Sequence, residues 1–274
     1  MFKIIKVLNN NALLVQGEKK NTESILLGKG IGFGRKSGDS ISGKEELKEY
    51  KLVAGDNRNA MLGTENGIEP VYLEAAAKII EVAQQMFDEI SSDILLPLAD
   101  HIAFAARRER EQIYIANPFI PDIKVLFGKE YAVALKSREI IKELAGYEIS
   151  DDEAGFIALH IHSGLSHEQV SDTLKATQII DESMQMIAKL SCKNAKEDSL
   201  TYTRLLSHLH YMIIRTAKGE AVNIDLNNFM KENYVRAYEI ADAVCGYMEE
   251  KLDKPLDKLE IGYLGVHIQR YLVE

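Results

Sequence analysis

Apolar and polar residues change rhythm once along this chain. Up to about residue 52 the apolar residues come in short, β-branched runs broken by polar and glycine-rich turns; from residue 70 they recur every three or four positions. Phe2 to Leu8 reads as a strand, Asn9-Asn10-Asn11 as a turn because Asn tolerates positive φ, and Ala12 to Gln16 as the returning strand of a hairpin. Gly17 to Asn21 is a second polar turn, Ser24 to Leu27 a third strand, and Ile31 to Phe33 begins a fourth. So short a β leader has little core of its own, which argues for dimerisation. Beyond it, Tyr72, Ala75, Ala76, Ile79, Ile80, Ala83 and Met86 trace one helical face, and Thr173 to Leu190 reads similarly. Further helices are predicted over 93–110, 129–145 and 152–163, then over 197–217, 231–252 and 257–272. Asp151, Asp152 and Asp257 are the expected N-terminal caps of the last helix in each set.

The two sets are copies. His101 and His160 lie 59 residues apart, as do His208 and His267, and each member of the second pair follows its counterpart by 107. Glu153, Gly155, Phe156, His160 and Ile161 recur as Glu260, Gly262, Tyr263, His267 and Ile268, and Arg108 recurs as Arg215. The period divides the chain into a leader (1–60) and two repeats (66–171 and 172–274) of ordinary domain size. Tyr131 and Ala134 match Tyr234 and Ala237 at an offset of 103, which predicts about four extra residues in the second copy before its last helix. The expected fold is multidomain α+β, a small antiparallel β domain followed by two duplicated all-α bundles.

Charge sharpens this division. The net charge is -9, yet residues 1–52 carry ten Lys and Arg against six Asp and Glu. A basic leader on an acidic body suits a leader that meets a polyanion, although a lysine-rich surface kept for solubility gives the same balance. Cys192 and Cys245, the two cysteines, read as reduced core thiols. MFKIIKVL is too short and too soon interrupted for a signal peptide, and no apolar run is long enough to span a membrane, so the expected location is cytoplasmic.

The glycine run from Gly28 to Gly34 matches neither GxxxxGK[ST] nor GxGxxG. Alternating glycines with Lys29 and Phe33 between them suit close backbone approach to a partner, one cation and one stacking ring; an unliganded turn is the plain alternative. His160 with His162, and His208 with His210, have the look of metal ligands, but residues i and i+2 on a helix point apart. His162 is Gln269 in the other copy, and His210 corresponds to Ala103, so only His101, His160, His208 and His267 hold in both. A lone histidine of this kind is most simply a satisfied structural residue. Retention of all four points instead to proton transfer, metal ligation or acceptance of a phosphoryl group. No acid pair or nucleophile accompanies them to suggest catalysis, metal ligation wants further Cys, Asp or Glu held in both copies, and phosphoryl acceptance needs only an accessible ring nitrogen and a nearby cation. Arg108 and Arg215, two turns beyond His101 and His208 on the same face, are the candidate phosphate neighbours.

FKIIKVLNNNALLV and LLGKGIGFGRKSGD resemble the RNA-binding leader of BglG/SacY-type transcriptional antiterminators. LADHIAFAARRERE, DDEAGFIALHIHSG, LLSHLHYMIIR and LEIGYLGVHIQRYL resemble the helices of their two phosphotransferase-regulated domains, with the glucose-type branch most similar. The resemblance spans the chain. It implies a non-enzymatic regulator, without cofactor, whose dimeric leader grips an imperfect hairpin in nascent mRNA and so excludes an overlapping terminator in sugar-transport operons. It implies phosphorylation of His101, His160, His208 and His267 by enzyme II and HPr, and RNA contacts from Asn9, Asn10, Asn11, Gly28, Lys29, Gly30 and Phe33. Lys29 departs from the Arg of some members, trading a bidentate fork for a point charge. Two other classes compete: a DNA-binding activator with the same regulatory domains, which would have a helix-turn-helix leader, and a histidine phosphotransfer protein.

Overall fold

The computed structural model of the chain describes residues 1–17, 23–42, 47–52, 68–166, 168–193 and 199–273. Two compact units emerge, one of Met1–Asn117 with Lys129–Val170, the other of Pro118–Gly128 with Ser171–Glu274. No described helix is long and apolar enough to cross a membrane.

The leader is an antiparallel sheet of β1 (Phe2–Asn9), β2 (Ala12–Gln16), β3 (Glu23–Leu27), β4 (Ser40–Ile41) and β5 (Lys48–Leu52), in the order β4-β1-β2-β3-β5. Asn9 pairs with Ala12, so Asn10 and Asn11 form a two-residue hairpin turn, as the asparagine run predicts. Ile31 to Phe33 is not a strand. Gly30 and Gly34 take positive φ, and amides of Ile31, Phe33 and Arg35 bond back to carbonyls of Gly28, Gly30 and Gly32, folding the segment into successive turns. Part of the predicted Gly17–Asn21 turn, the end of the 1–60 leader and the start of the 66–171 repeat lie outside the described residues.

Ile4, Leu13, Val15, Leu26 and Ile41 form a core on one face of the sheet, with Ile31 and Leu47 against it. The alternate residues Ala12, Leu14, Ile25 and Leu27 are buried too, and β1 packs on the first helix, where Lys6 pairs with Glu74. The sheet therefore finds cover within its own chain, and burial alone does not require a second copy.

The first copy contains α1 (Pro70–Gln84), α2 (Leu95–Glu111), α3 (Ile120–Leu126), α4 (Gly128–Ala145) and α5 (Asp151–Ser166). The second contains α6 (Val170–Ser191), α7 (Leu200–Lys218), α8 (Asn227–Asn233), α9 (Val235–Leu252) and α10 (Glu260–Val273). The short helices α3 and α8 escaped the periodicity reading because seven residues hold barely two turns of pattern. Helices α3, α4, α8 and α9 keep the 107-residue period end to end, so the four-residue slip does not occur. Tyr-x-x-Ala stands twice in tandem, at Tyr234 to Ala237 and at Tyr238 to Ala241, and the second of these is the partner of Tyr131 and Ala134.

Helix α3 does not stay with its own copy. It packs on α7, and the buried Asp122 carboxylate accepts a 2.8 Å hydrogen bond from the Tyr202 hydroxyl. The second unit is centred on Ile180, Leu205, Leu209, Val244, Leu264 and Ile268, each burial contributing about 1.5–3 kcal/mol. A Cβ on Gly262 would lie 2.8 Å from the backbone of α8, so α10 can approach that closely only with glycine there. Two other expectations change. Cys245 is buried but Cys192 is exposed. The N-terminal caps also differ: the Ser150 hydroxyl accepts the Glu153 amide at the start of α5, while Asp152 and Asp257 accept amides from Asn117 and Val222 across the bundle. Asp257 additionally takes the Leu259 amide in the turn before α10.

Candidate functional site

Helices α2 and α5 run antiparallel, so a step of seven residues forward on one matches seven back on the other. His101 on α2 meets His160 on α5, and two turns along Arg108 meets Glu153. The imidazoles are 5.1 Å apart and tilted by 40°. Arg108 Nη2 donates to Glu153 Oε1 at 2.6 Å, and His101 Nε2 lies 3.1 Å from Glu153 Oε2. That second contact is close but off the hydrogen-bonding direction, leaving it an electrostatic approach.

The second copy repeats the constellation with its rings closer together and its histidine farther from the glutamate. His208 on α7 and His267 on α10 stack with centroids 4.4 Å apart, 23° from parallel. Arg215 grips Glu260 through two hydrogen bonds, Nε to Oε1 at 2.6 Å and Nη2 to Oε2 at 2.8 Å, a bidentate fork. His208 Nε2 stands 3.8 Å from Glu260 Oε2. Phe156 and Tyr263, matched residues one turn beyond the glutamates, lie over His101 and His208. The unmatched histidines point elsewhere: His162 Nδ1 lies 3.0 Å from Glu130, and His210 meets Phe127 edge-on.

These sites are enclosed. His160 is only 8% exposed. Its burial, reinforced by the neighbouring His101, lowers its pKa well below the usual imidazole range. His208 is lowered to about 3 by burial, then by His267 and Arg215. His267 is lowered by burial, then by Arg270 and Arg204. Burial alone would raise Glu153, yet His101 and Arg108 together take it below its ordinary value. His160, His208 and His267 are thus held toward the neutral form, and in each copy the nearby arginine is already occupied by a carboxylate. Glu153 and Glu260 recur in the sequence, but there they serve only as marks of duplication; their role required the helix pairing.

In the leader, the asparagine turn and glycine loop are stitched together. Gly28 N donates to Asn11 O, Gly30 N to Asn11 Oδ1, and Gly32 N to Asn10 O. A Cβ on Gly32 would fall 2.2 Å from Asn9 O, so the loop closes only around glycine. Asn9 is buried: its Oδ1 takes the Asn11 amide and its Nδ2 reaches Ala77 O at 3.4 Å. Asn10, Lys29, Gly30 and Phe33, the last 79% exposed, face outward. A cleft of about 570 Å³ brings Asn10, Asn11, Gly28, Lys29 and Lys48 together with the carboxylates Asp88, Glu89 and Asp93. Lys48 Nζ bonds both oxygens of Asp93, at 2.8 and 2.7 Å.

A strand-built, basic loop surface followed by two imidazole-bearing helical bundles defines an RNA-binding regulator controlled through its helical domains. The chain belongs to the family of transcription antiterminators that carry a CAT RNA binding domain, matched over residues 2–59, and PRD domains, matched over 77–164 and 181–271. It is 31% identical to the GlcA/glcB genes antiterminator of Staphylococcus carnosus strain TM300, over 98% of this chain and 95% of that protein. It is 30% identical to transcription antiterminator LicT of Bacillus subtilis strain 168, over 98% of each. A crystal structure of the CAT-PRDI portion of GlcT matches with 34% identity and a TM-score of 0.39, covering 60% of this chain and 98% of that one. The leader being sheet rather than helix-turn-helix removes the basis for the DNA-binding reading.

Proposed function

We propose that the leader binds a short, imperfect hairpin in nascent mRNA of a sugar phosphotransferase operon, a glucose-type one, and that His101, His160, His208 and His267 accept phosphoryl groups from HPr and enzyme II. The observation that carries this reading is the duplicated imidazole pair capped by an arginine-carboxylate contact. A neutral ring nitrogen attacks phosphorus, the bond from phosphorus to the donor's side-chain atom breaks, and the proton shed by the acceptor ring is matched by one gained on the departing donor group. The product adds about -1.5 to -2 charges beside Glu153 or Glu260. In the first copy phosphoryl oxygens compete with the carboxylate for Arg108, and the displaced glutamate is repelled, so the α2–α5 contact must rearrange. The low exposure of His160 means that these helices part before the ring can react.

Asn10, Lys29, Gly30 and Phe33 supply hydrogen bonds, a phosphate contact, close backbone approach and a stacking ring, which suit irregular RNA. Two leaders in a cytoplasmic homodimer flank one pseudo-symmetric hairpin. Gel-shift titration of a candidate leader hairpin with the full chain, before and after incubation with phosphorylated HPr or enzyme II, tests the reading. Saturable hairpin binding that changes with histidine phosphorylation is expected, and binding blind to phosphorylation refutes the control. Unphosphorylated first-copy histidines favour RNA binding, so His101→Asp lowers antitermination in cells; constitutive antitermination by that variant contradicts this.

A further inference from the structure

Beside its histidine pair the second copy carries two arginines that have no ion-pair or hydrogen-bond partner among the described residues. Among residues 172–274 there are four arginines. Arg215 is held by Glu260, and Arg236 donates to Ser191 O. Arg204 and Arg270 are exposed and, among the described residues, have no ion-pair or hydrogen-bond partner. In the first copy every arginine is engaged: Arg107 over the Phe104 ring, Arg108 on Glu153, Arg110 on the Tyr72 hydroxyl and Arg138 on Asp151.

The two free arginines converge on one place. Arg270 lies three residues past His267 on α10, one turn along the same face. Arg204 lies four residues before His208 on α7, and His208 stacks on His267 at 4.4 Å. Both make His267 harder to protonate, which is the signature of cations within electrostatic reach of the ring. The first copy has Pro97 and Ser163 at these positions, and Ser163 is buried with its hydroxyl donated to Glu168 O. An exposed arginine pair at the edge of a stacked imidazole pair is placed to meet an incoming dianion and to hold it after transfer, while Arg215 remains with its carboxylate.

We infer that Arg204 and Arg270 are the positioning residues that receive the phosphoryl group of His267, making this the histidine on which phosphate accumulates most in the chain. The inference rests on the reading of His267 as a phosphoryl acceptor. It gives the two copies different donor chemistry: the second offers an open cationic mouth to any phosphorylated carrier, the first demands displacement of Glu153 from Arg108.

The test uses the full chain, phosphorylated separately with phosphoramidate, a small-molecule donor, and with phosphorylated HPr. Site occupancy is read by mass spectrometry of peptides kept at alkaline pH, and the phosphoryl titration by phosphorus NMR. R204Q/R270Q is expected to lower His267 occupancy about tenfold with both donors and to raise the phosphoryl titration midpoint, because two stabilising cations are gone. His101 occupancy, in the other compact unit, stays at the parent level, and an unchanged melting transition of the second unit reports that its fold is intact. R204K/R270K restores the midpoint, a result that repair of packing alone does not produce. Parent-level occupancy and midpoint at His267 in R204Q/R270Q overturn the inference while leaving the acceptor reading standing. If none of the four histidines takes phosphate from either donor, the acceptor reading fails, and the inference with it.

Discussion

Replacing Glu260 by Leu strands the Arg215 guanidinium, which loses both of its hydrogen bonds to that carboxylate in a site where the side chain is only 25% exposed. Removing one partner of a buried ion pair costs about 3–5 kcal/mol, and the residual exposure of Arg215, which lets water reach it, places this case near 3 kcal/mol. For a unit of this size that is a fall of about 10 °C in the transition of the second unit. Adding Arg215→Met removes the uncompensated charge, so Glu260→Leu with Arg215→Met recovers about 1–2 kcal/mol relative to Glu260→Leu alone. Scanning calorimetry of the full chain, resolved into its transitions, measures the parent, both single variants and the double. A coupling energy within about 0.5 kcal/mol of zero refutes the claim that the arginine and glutamate form one energetic unit. The matched Glu153→Leu costs less, because Arg108 makes one hydrogen bond to its glutamate and not two.

Acid should loosen the second copy through His208: its folded pKa of about 3 lies below the unfolded value of about 6.5, so the unfolded chain takes up the proton first. Stability present above pH 6.5 is therefore lost progressively as pH falls toward 3, by about 2 kcal/mol between pH 7 and pH 5, and His208→Gln flattens that part of the urea-midpoint profile. Phe33→Ala should weaken hairpin binding by about 1–3 kcal/mol, the worth of one stacked base, without moving the thermal midpoint, because the ring is 79% exposed; unchanged gel-shift affinity contradicts its stacking role. Asp93→Asn should strengthen hairpin binding several-fold and steepen its salt dependence by releasing Lys48 for phosphate, and a gel-shift series across salt concentrations showing neither change contradicts this. Gln112→Gly should stabilise the first copy by about 1 kcal/mol, since Gln112 ends α2 at φ 56° where the matched position in α7 is Gly219; a lower melting temperature counts against it.

What the sequence revealed and what it hid follow from the range of the interactions involved. The hairpin at Asn10 and Asn11 and the long helices were legible because turn chemistry and apolar periodicity act within a few residues. The histidine pairs were legible because duplication preserved their spacing. The glycine loop misled: Ile31 and Phe33 look like strand residues, but the positive φ of Gly30 and Gly34 and the approach of Gly32 to Asn9 decide the conformation, and these are contacts across the sheet end. The tandem Tyr-x-x-Ala of α9 hid the true period, since a four-residue shift on a helix keeps nearly the same face. The association of α3 with the second unit depends on a buried hydrogen bond between residues 80 apart, for which local sequence carries no signal.

The same distinction between local and distant signals bears on how the copies came to differ. Helix pairing by sevens fixes His101 to His160 and Arg108 to Glu153, and equally His208 to His267 and Arg215 to Glu260, so the duplicated part is the frame in which the proposed phosphoryl acceptors stand. Residues one turn away from that frame are free to diverge without disturbing it, and there Pro97 and Ser163 in one copy stand against Arg204 and Arg270 in the other. In the first copy a phosphoryl group finds only an arginine already bound by carboxylate, so gaining that cation means breaking the existing contact. In the second it would meet exposed arginines whose recruitment costs side-chain ordering but breaks no existing ion pair among the described residues, so the carboxylate contact would persist. Under the proposed function, the chemistry is thus duplicated while the threshold for conformational response is not, and one architecture would answer two signals.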